Sequence, residues 1–116
     1  MDIGVFSFNT PYTIRPDELA RNLEQRGYES VWFGEHSHIP VERRSPYPAG
    51  GELPEHYWHM LDPFVSLTAA AQVTTQLKLA TGVCLVIERD PIMTAKDEVL
   101  RFLDNSAVLV AHGQQR

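Results

Sequence analysis

The chain has little with which to cross-link itself, and little with which to grip a polyanion. Cys84 is its one cysteine, so no internal disulfide forms and a reducing, cytoplasmic setting is expected. Fifteen acidic residues face ten Lys and Arg, for a formal charge of −5, and no basic block interrupts them. Nucleic acid is therefore not expected as a partner. No apolar run approaches the ~18 residues of a membrane span, so no membrane partner is expected either. The opening "MDIGVFSF" carries an acid at position two and no basic region, and does not read as a secretory signal. Neither a Gly-x-Gly-x-x-Gly fingerprint nor a Gly-x4-Gly-Lys-Ser/Thr phosphate loop occurs. Internal repeats and low-complexity tracts are also lacking.

What remains is a chain of 116 residues, 43% of them hydrophobic. That is enough for one domain, 1–116, with a buried core. Its pattern alternates strands and helices. Asp2 to Phe8 reads as a first strand, and Asn9 to Arg15 as a loop. A helix follows, with Pro16 in its first turn and Asp17 and Glu18 at its positive end. Leu19, Ala20 and Leu23 share one face, and Gly27 supplies the stop. Ser30 to Phe33 reads as a second strand ending at Gly34. Residues 35–61 hold four of the eight prolines and Gly50-Gly51; a connection this long in a small domain is usually functional or disordered.

Asp62-Pro63 then opens a second helix, with Phe64, Leu67, Ala70, Ala71 and Val73 as its apolar face. "LKLATGVCLVI", Leu77 to Ile87, reads as a third strand. Asp90-Pro91 repeats the helix start, with Ile92, Ala95 and Val99 at helical spacing. Short apolar strands alternating with helices imply an α/β fold with parallel pairing. For Ser106 to Ala111 the pattern allows a fourth strand or a helix end.

The chemistry-bearing residues gather after the second strand. Glu35 and His36 follow Gly34 at the end where parallel folds bind ligands. His36 suits proton transfer, since the histidine side chain as a type titrates near neutrality. Glu35 suits orienting His36 or carrying a proton, or is a strand-end carboxylate in water. His36 and His38 form a His-x-His pair that could share a metal, with His56, His59 and Asp62 as loosely placed further ligands. A metal-dependent hydrolase is thus one alternative function. Thr81-Gly82-Val83 places a glycine inside an apolar strand, a mark of a bulge, a close ligand or tight helix packing. Cys84 reads as a buried small hydrophobe. Tyr57-Trp58-His59 suits either a cover for a flat ring or an anchor for the long loop. Arg43-Arg44 suits an acidic cofactor tail or plain solvation.

Four stretches, "MDIGVFSF", "LARNLEQRGYESVWFGEH", "DPFVSLTAAAQVTTQLKLATGV" and "RDPIMTAK", in this order and spacing, resemble luciferase-like flavin-dependent oxidoreductases, in particular the branch that commonly uses the deazaflavin F420. The resemblance covers roughly Asp2 to Lys96. It implies a (β/α)8 TIM barrel with F420 or FMN at the C-terminal mouth of the strands. It also implies oxidoreductase or monooxygenase chemistry, hydride transfer or oxygen insertion, on a small organic substrate. The matching cofactor positions are Phe6, Ser7, Phe8, His36, Thr81, Gly82 and Val83. His36 and Glu35 are the implied catalytic pair, and a non-prolyl cis peptide is implied at Gly82-Val83. No metal is implied.

Residues 97–116 depart from the family pattern. A barrel of this kind needs roughly 250 residues, so the resemblance implies the N-terminal βαβαβα portion, incomplete and inactive alone. Open strand edges then favour a homo-oligomer or aggregation. A non-catalytic, self-associating interaction protein is the other alternative.

Overall fold

The computed structural model describes residues 2–96 and 108–110. Four strands, β1 (Gly4–Ser7), β2 (Ser30–Phe33), β3 (Lys78–Thr81) and β4 (Val108–Val110), form one sheet in the order β1-β2-β3-β4. All three pairings are parallel. Helix α1 (Pro16–Gln25) joins β1 to β2, and α2 (Pro63–Ala71) lies between β2 and β3.

Both helices begin where local chemistry favours them. Pro16 opens α1, with Asp17 and Glu18 in the first turn. Gly27, at φ 74°, makes the left-handed turn that ends it. At α2, Asp62 caps the helix: its Oδ1 accepts from the N–H groups of Phe64 (2.8 Å) and Val65 (3.0 Å).

The core sits between the sheet and the two helices. Ala20 and Leu23 of α1 and Leu67 and Ala70 of α2 meet Val31, Phe33, Leu77 and Leu79. Register explains which strand residues take part. Val5, Val31 and Leu79 stand side by side, as do Ser7, Phe33 and Thr81. Alternation turns both rows toward the helices. The row between them, Phe6, Trp32 and Ala80, is on the opposite face. Neither α1 nor α2 covers that face, where Phe6 is 46% exposed although Ala80 is fully buried.

Glu24 ties the helix layer to β3. Its carboxylate accepts from the N–H groups of Thr75, Gln76 and Leu77 at 2.9–3.1 Å. Burial pushes this carboxyl up, but the three backbone donors outweigh it and hold its pKa low.

Several elements differ from the sequence reading. β1 is shorter than residues 2–8. The apolar run 77–87 is a strand only from Lys78 to Thr81; Val86–Glu88 is a 3-10 turn. Beyond the strand, the N–H of Leu85 is taken by the Glu35 carboxylate (2.6 Å). Cys84 therefore stands half-buried in a loop, not in a strand. Val73 falls beyond the end of α2. Residues 91–96 are helical and capped by Asp90, whose Oδ1 accepts from the Met93 N–H at 2.8 Å. The expected apolar face of that helix is open, however: Ile92 is exposed and Thr94 is the buried residue. Val99 lies outside the described residues. Within 106–111, a strand forms at Val108–Val110. The rest of the departing tail, 97–107 and 111–116, is outside the described residues. The implied cis peptide at Gly82-Val83 is not found; that bond is trans.

Candidate functional site

The polar residues at the C-terminal ends of the strands are positioned by the strands themselves. The ladder runs one step past β2 and β3: the Gly34 N–H reaches Ser7 O (3.4 Å) and the Gly82 N–H reaches Phe33 O (2.7 Å). Two glycines thus lie side by side at the rim of the uncovered sheet face, and the Phe6 ring rests on both. A Cβ on Gly82 would stand 2.2 Å from Phe6 Cε2, and one on Gly34 would stand 2.7 Å from Met60 Cε and 3.1 Å from Phe6 Cζ. Only glycine permits this approach. The pair forms a flat, apolar cradle that accepts an aromatic ring.

Aromatic side chains from the long loop gather over the rim. Phe8 meets Phe6 (ring centroids 5.0 Å), His56 (4.4 Å) and Tyr57 (5.6 Å). Tyr57 also packs edge-on against His36 at 4.9 Å and lies near Tyr47. Burial and the hydrogen bond with Tyr47 push the Tyr57 phenol up, so it is neutral near pH 7. These contacts place Tyr57 at the rim, whereas Trp58 points outward, 51% exposed.

Glu35 is not paired with His36. It is buried, and its carboxylate binds the Arg89 guanidinium and the Leu85 N–H. Arg89 also binds Asp62, at 2.5 Å, and lies 4.5 Å above the Phe64 ring. One guanidinium therefore joins the end of β2, the loop after β3 and the cap of α2. Ser37 adds a second tie, donating to Glu88, which His38 Nδ1 approaches at 3.7 Å. His36 stands on the wall between two cavities, of about 530 and 200 Å³.

The expected site residues thus separate. Phe6, Phe8, Gly82 and His36 come together at the rim. Ser7 and Thr81 are in the row that faces the helices, and Thr81 is fully buried. Val83 is 42% exposed beyond the end of β3. His38 turns to Ser37 and Glu88, and among the described residues no group of three His, Cys, Asp or Glu is placed to hold a metal. Three buried polar atoms near the strand ends have no hydrogen-bond partner among the described residues: Asn9 Oδ1, His56 Nε2 and Thr81 Oγ1.

Sequence reasoning missed Arg89 and Asn9. Arg89 had a signal: it is the only Lys or Arg between Lys78 and Lys96, and a carboxylate directly after a buried strand needs a cation. Asn9 had none; its amide pins the loop after β1 to α2, donating to Ser66 Oγ (2.6 Å) and Leu61 O (3.3 Å).

Asp62 carries a testable pH dependence. Burial raises its pKa, but Arg89 and the N–H groups of Val65 and Phe64 outweigh that and hold it below the usual value. A depressed folded-state pKa gives stability that is present above the unfolded value, about 4, and is lost as pH falls through the folded value. Denaturant titrations from pH 6 down to pH 2 should therefore show a smaller acid loss in Asp62→Asn than in the wild type. Equal slopes would remove Asp62 from the account.

The model of the luciferase-like monooxygenase family matches residues 1–100. The chain belongs to that family. It is 40% identical to an uncharacterized protein of Mycobacterium bovis and to uncharacterized proteins of two Mycobacterium tuberculosis strains, CDC 1551 and H37Rv. Each alignment covers 97% of this chain but 42% of the relative. The chain thus spans less than half the length of these curated relatives. No helix among the described residues is long and apolar enough to cross a membrane.

Proposed function

We propose that this chain forms the first β/α units of a luciferase-like (β/α)8 barrel, as a single partial domain, and that its strand-end rim holds the ring of FMN or F420. The observation that carries this reading is the Gly34–Gly82 cradle, already occupied by one aromatic ring, next to His36 at the C-terminal edge of a parallel sheet. A flat cofactor ring fits such a cradle once Phe6, half-exposed, turns aside. The unpartnered Asn9 Oδ1 and His56 Nε2 offer polar contacts to a ligand nearby.

When bound, the cofactor would supply hydride transfer or oxygen activation. The residues of this chain do the remainder. Phe8 and Tyr57 exclude water from the rim. His36 holds or releases a proton on a ring nitrogen at the reacting edge. Glu35, committed to Arg89 and the Leu85 N–H, keeps the loops in place, which leaves His36 of the expected catalytic pair at the reacting edge.

Titrating the purified chain with FMN and with F420, followed by fluorescence quenching, tests the reading. Saturable quenching is expected, and His36→Ala should weaken it about tenfold, the loss of one good contact. Absence of saturable quenching at high micromolar cofactor removes cofactor binding from this chain.

Self-association is a second reading. It is supported by the uncovered sheet face, where Phe6 and Phe8 are 46% and 38% exposed. A stable dimer by light scattering, lacking any cofactor affinity, favours it over the first.

A further inference from the structure

We propose that the larger cleft beside His36 binds a small organic anion, an apolar body carrying one carboxylate or phosphate group, as substrate. This rests on the reading of the rim as the reaction site and names the class of molecule delivered to it. The cleft has about 530 Å³, within the ~300–1,000 Å³ of small-molecule sites. Ile39, Pro40, Leu53 and Leu85 provide its apolar walls, and His36 stands at its edge. Arg43 and Arg44 provide its positive charge.

The charge is available. The arginines that hold carboxylates among the described residues are Arg15 and Arg89; Arg43 and Arg44 hold none. Of the two acids in the lining, Glu88 accepts from Ser37, and among the described residues neither it nor Glu42 lies within ion-pair distance of Arg43 or Arg44, so both guanidinium groups keep their N–H donors for a ligand. Guanidinium groups recognise carboxylate and phosphate through paired N–H donors.

The phosphate tail of a cofactor has the same chemistry. The cleft is assigned to substrate because neither glycine of the ring cradle lines it; the two sites share His36 alone.

The test is a ligand-observed NMR titration of the full chain with phenylacetate, phenyl phosphate and neutral 2-phenylethanol. At low salt the anions should bind at least about tenfold tighter than the alcohol, the equivalent of one charge-assisted contact. The double variant Arg43→Gln/Arg44→Gln, altered only at exposed loop positions, should bring the three within about twofold of each other. Saturating FMN should leave the anion affinity unchanged. Equal binding of anion and alcohol overturns the proposal. So does a preference that survives in the double variant, or displacement of the anions by FMN, which assigns the cleft to the cofactor tail. Quenching by FMN is read separately: if it persists while the anion preference is absent, only this inference falls, and the converse result removes the cofactor reading and the substrate role while leaving the anion site.

Discussion

Replacing Arg89 by alanine should cost about 3–5 kcal/mol of stability, the usual result of removing one partner of a buried ion pair. The physical cause is Glu35, which is 2% exposed and would keep only the Leu85 N–H as a partner. Burying an unpaired carboxylate is among the largest single penalties available to a mutation. The loss of the guanidinium over Phe64 adds a smaller amount, about 0.5–1 kcal/mol. Against the 5–15 kcal/mol typical of a whole domain, this is a large fraction of the total stability. Urea denaturation measures the loss. A second substitution separates charge from packing: adding Glu35→Gln to Arg89→Ala should restore at least about 1 kcal/mol, since a neutral amide costs less to bury than an unpaired charge. A single-variant loss under about 1 kcal/mol, within the range of surface substitutions, would show that the clamp is not structural.

Phe33→Ala should be of similar size, about 3–5 kcal/mol. Phe33 is fully buried, stands between Ser7 and Thr81 in the sheet, and belongs to the cluster formed with α1 and α2. Its carbonyl also accepts the Gly82 N–H that sets the cradle. Removal of the ring leaves a cavity directly beneath the site, so cofactor affinity should fall along with stability. Phe33→Leu, which keeps most of the volume, should cost less than about 1.5 kcal/mol. Ile87→Ala is the control: Ile87 is 89% exposed and should change stability by less than about 0.5 kcal/mol. If Phe33→Ala unfolds at the same urea concentration as Ile87→Ala, the core does not lie where it is described.

Much of this was legible from residue order. Asp62-Pro63 and Pro16 mark helix starts because their chemistry is local, and Ser30 to Phe33 reads as a strand because an apolar run ends at a glycine. The stretch from Gly82 to Ile87 misleads for the opposite reason. Its residues favour a strand, yet a carboxylate fifty positions earlier captures the Leu85 N–H. The expected pairing of Glu35 with His36 fails through the same non-local tie, since an acid next to a histidine suggests a pair and only the fold brings Arg89 to it. Thr81 and Gly82 are adjacent in sequence, but alternation puts Thr81 on the helix side and Gly82 on the Phe6 side. Membership of a luciferase-like family was legible from four short stretches. The filling of the Gly82 cradle by Phe6 was not, because it depends on the registers of β1 with β2 and of β2 with β3.

The central claim is that the rim around Gly34, Gly82 and His36 holds a flavin ring. The most direct measurement is amide chemical-shift mapping of the isotope-labelled chain during titration with FMN or F420. The account predicts saturable shifts confined to Phe6, Phe8, Gly34, His36, Tyr57, Gly82 and their neighbours, with α1 and the helix side of the sheet unchanged. Shifts centred on α1 or α2, or no saturable shift at all, would contradict it.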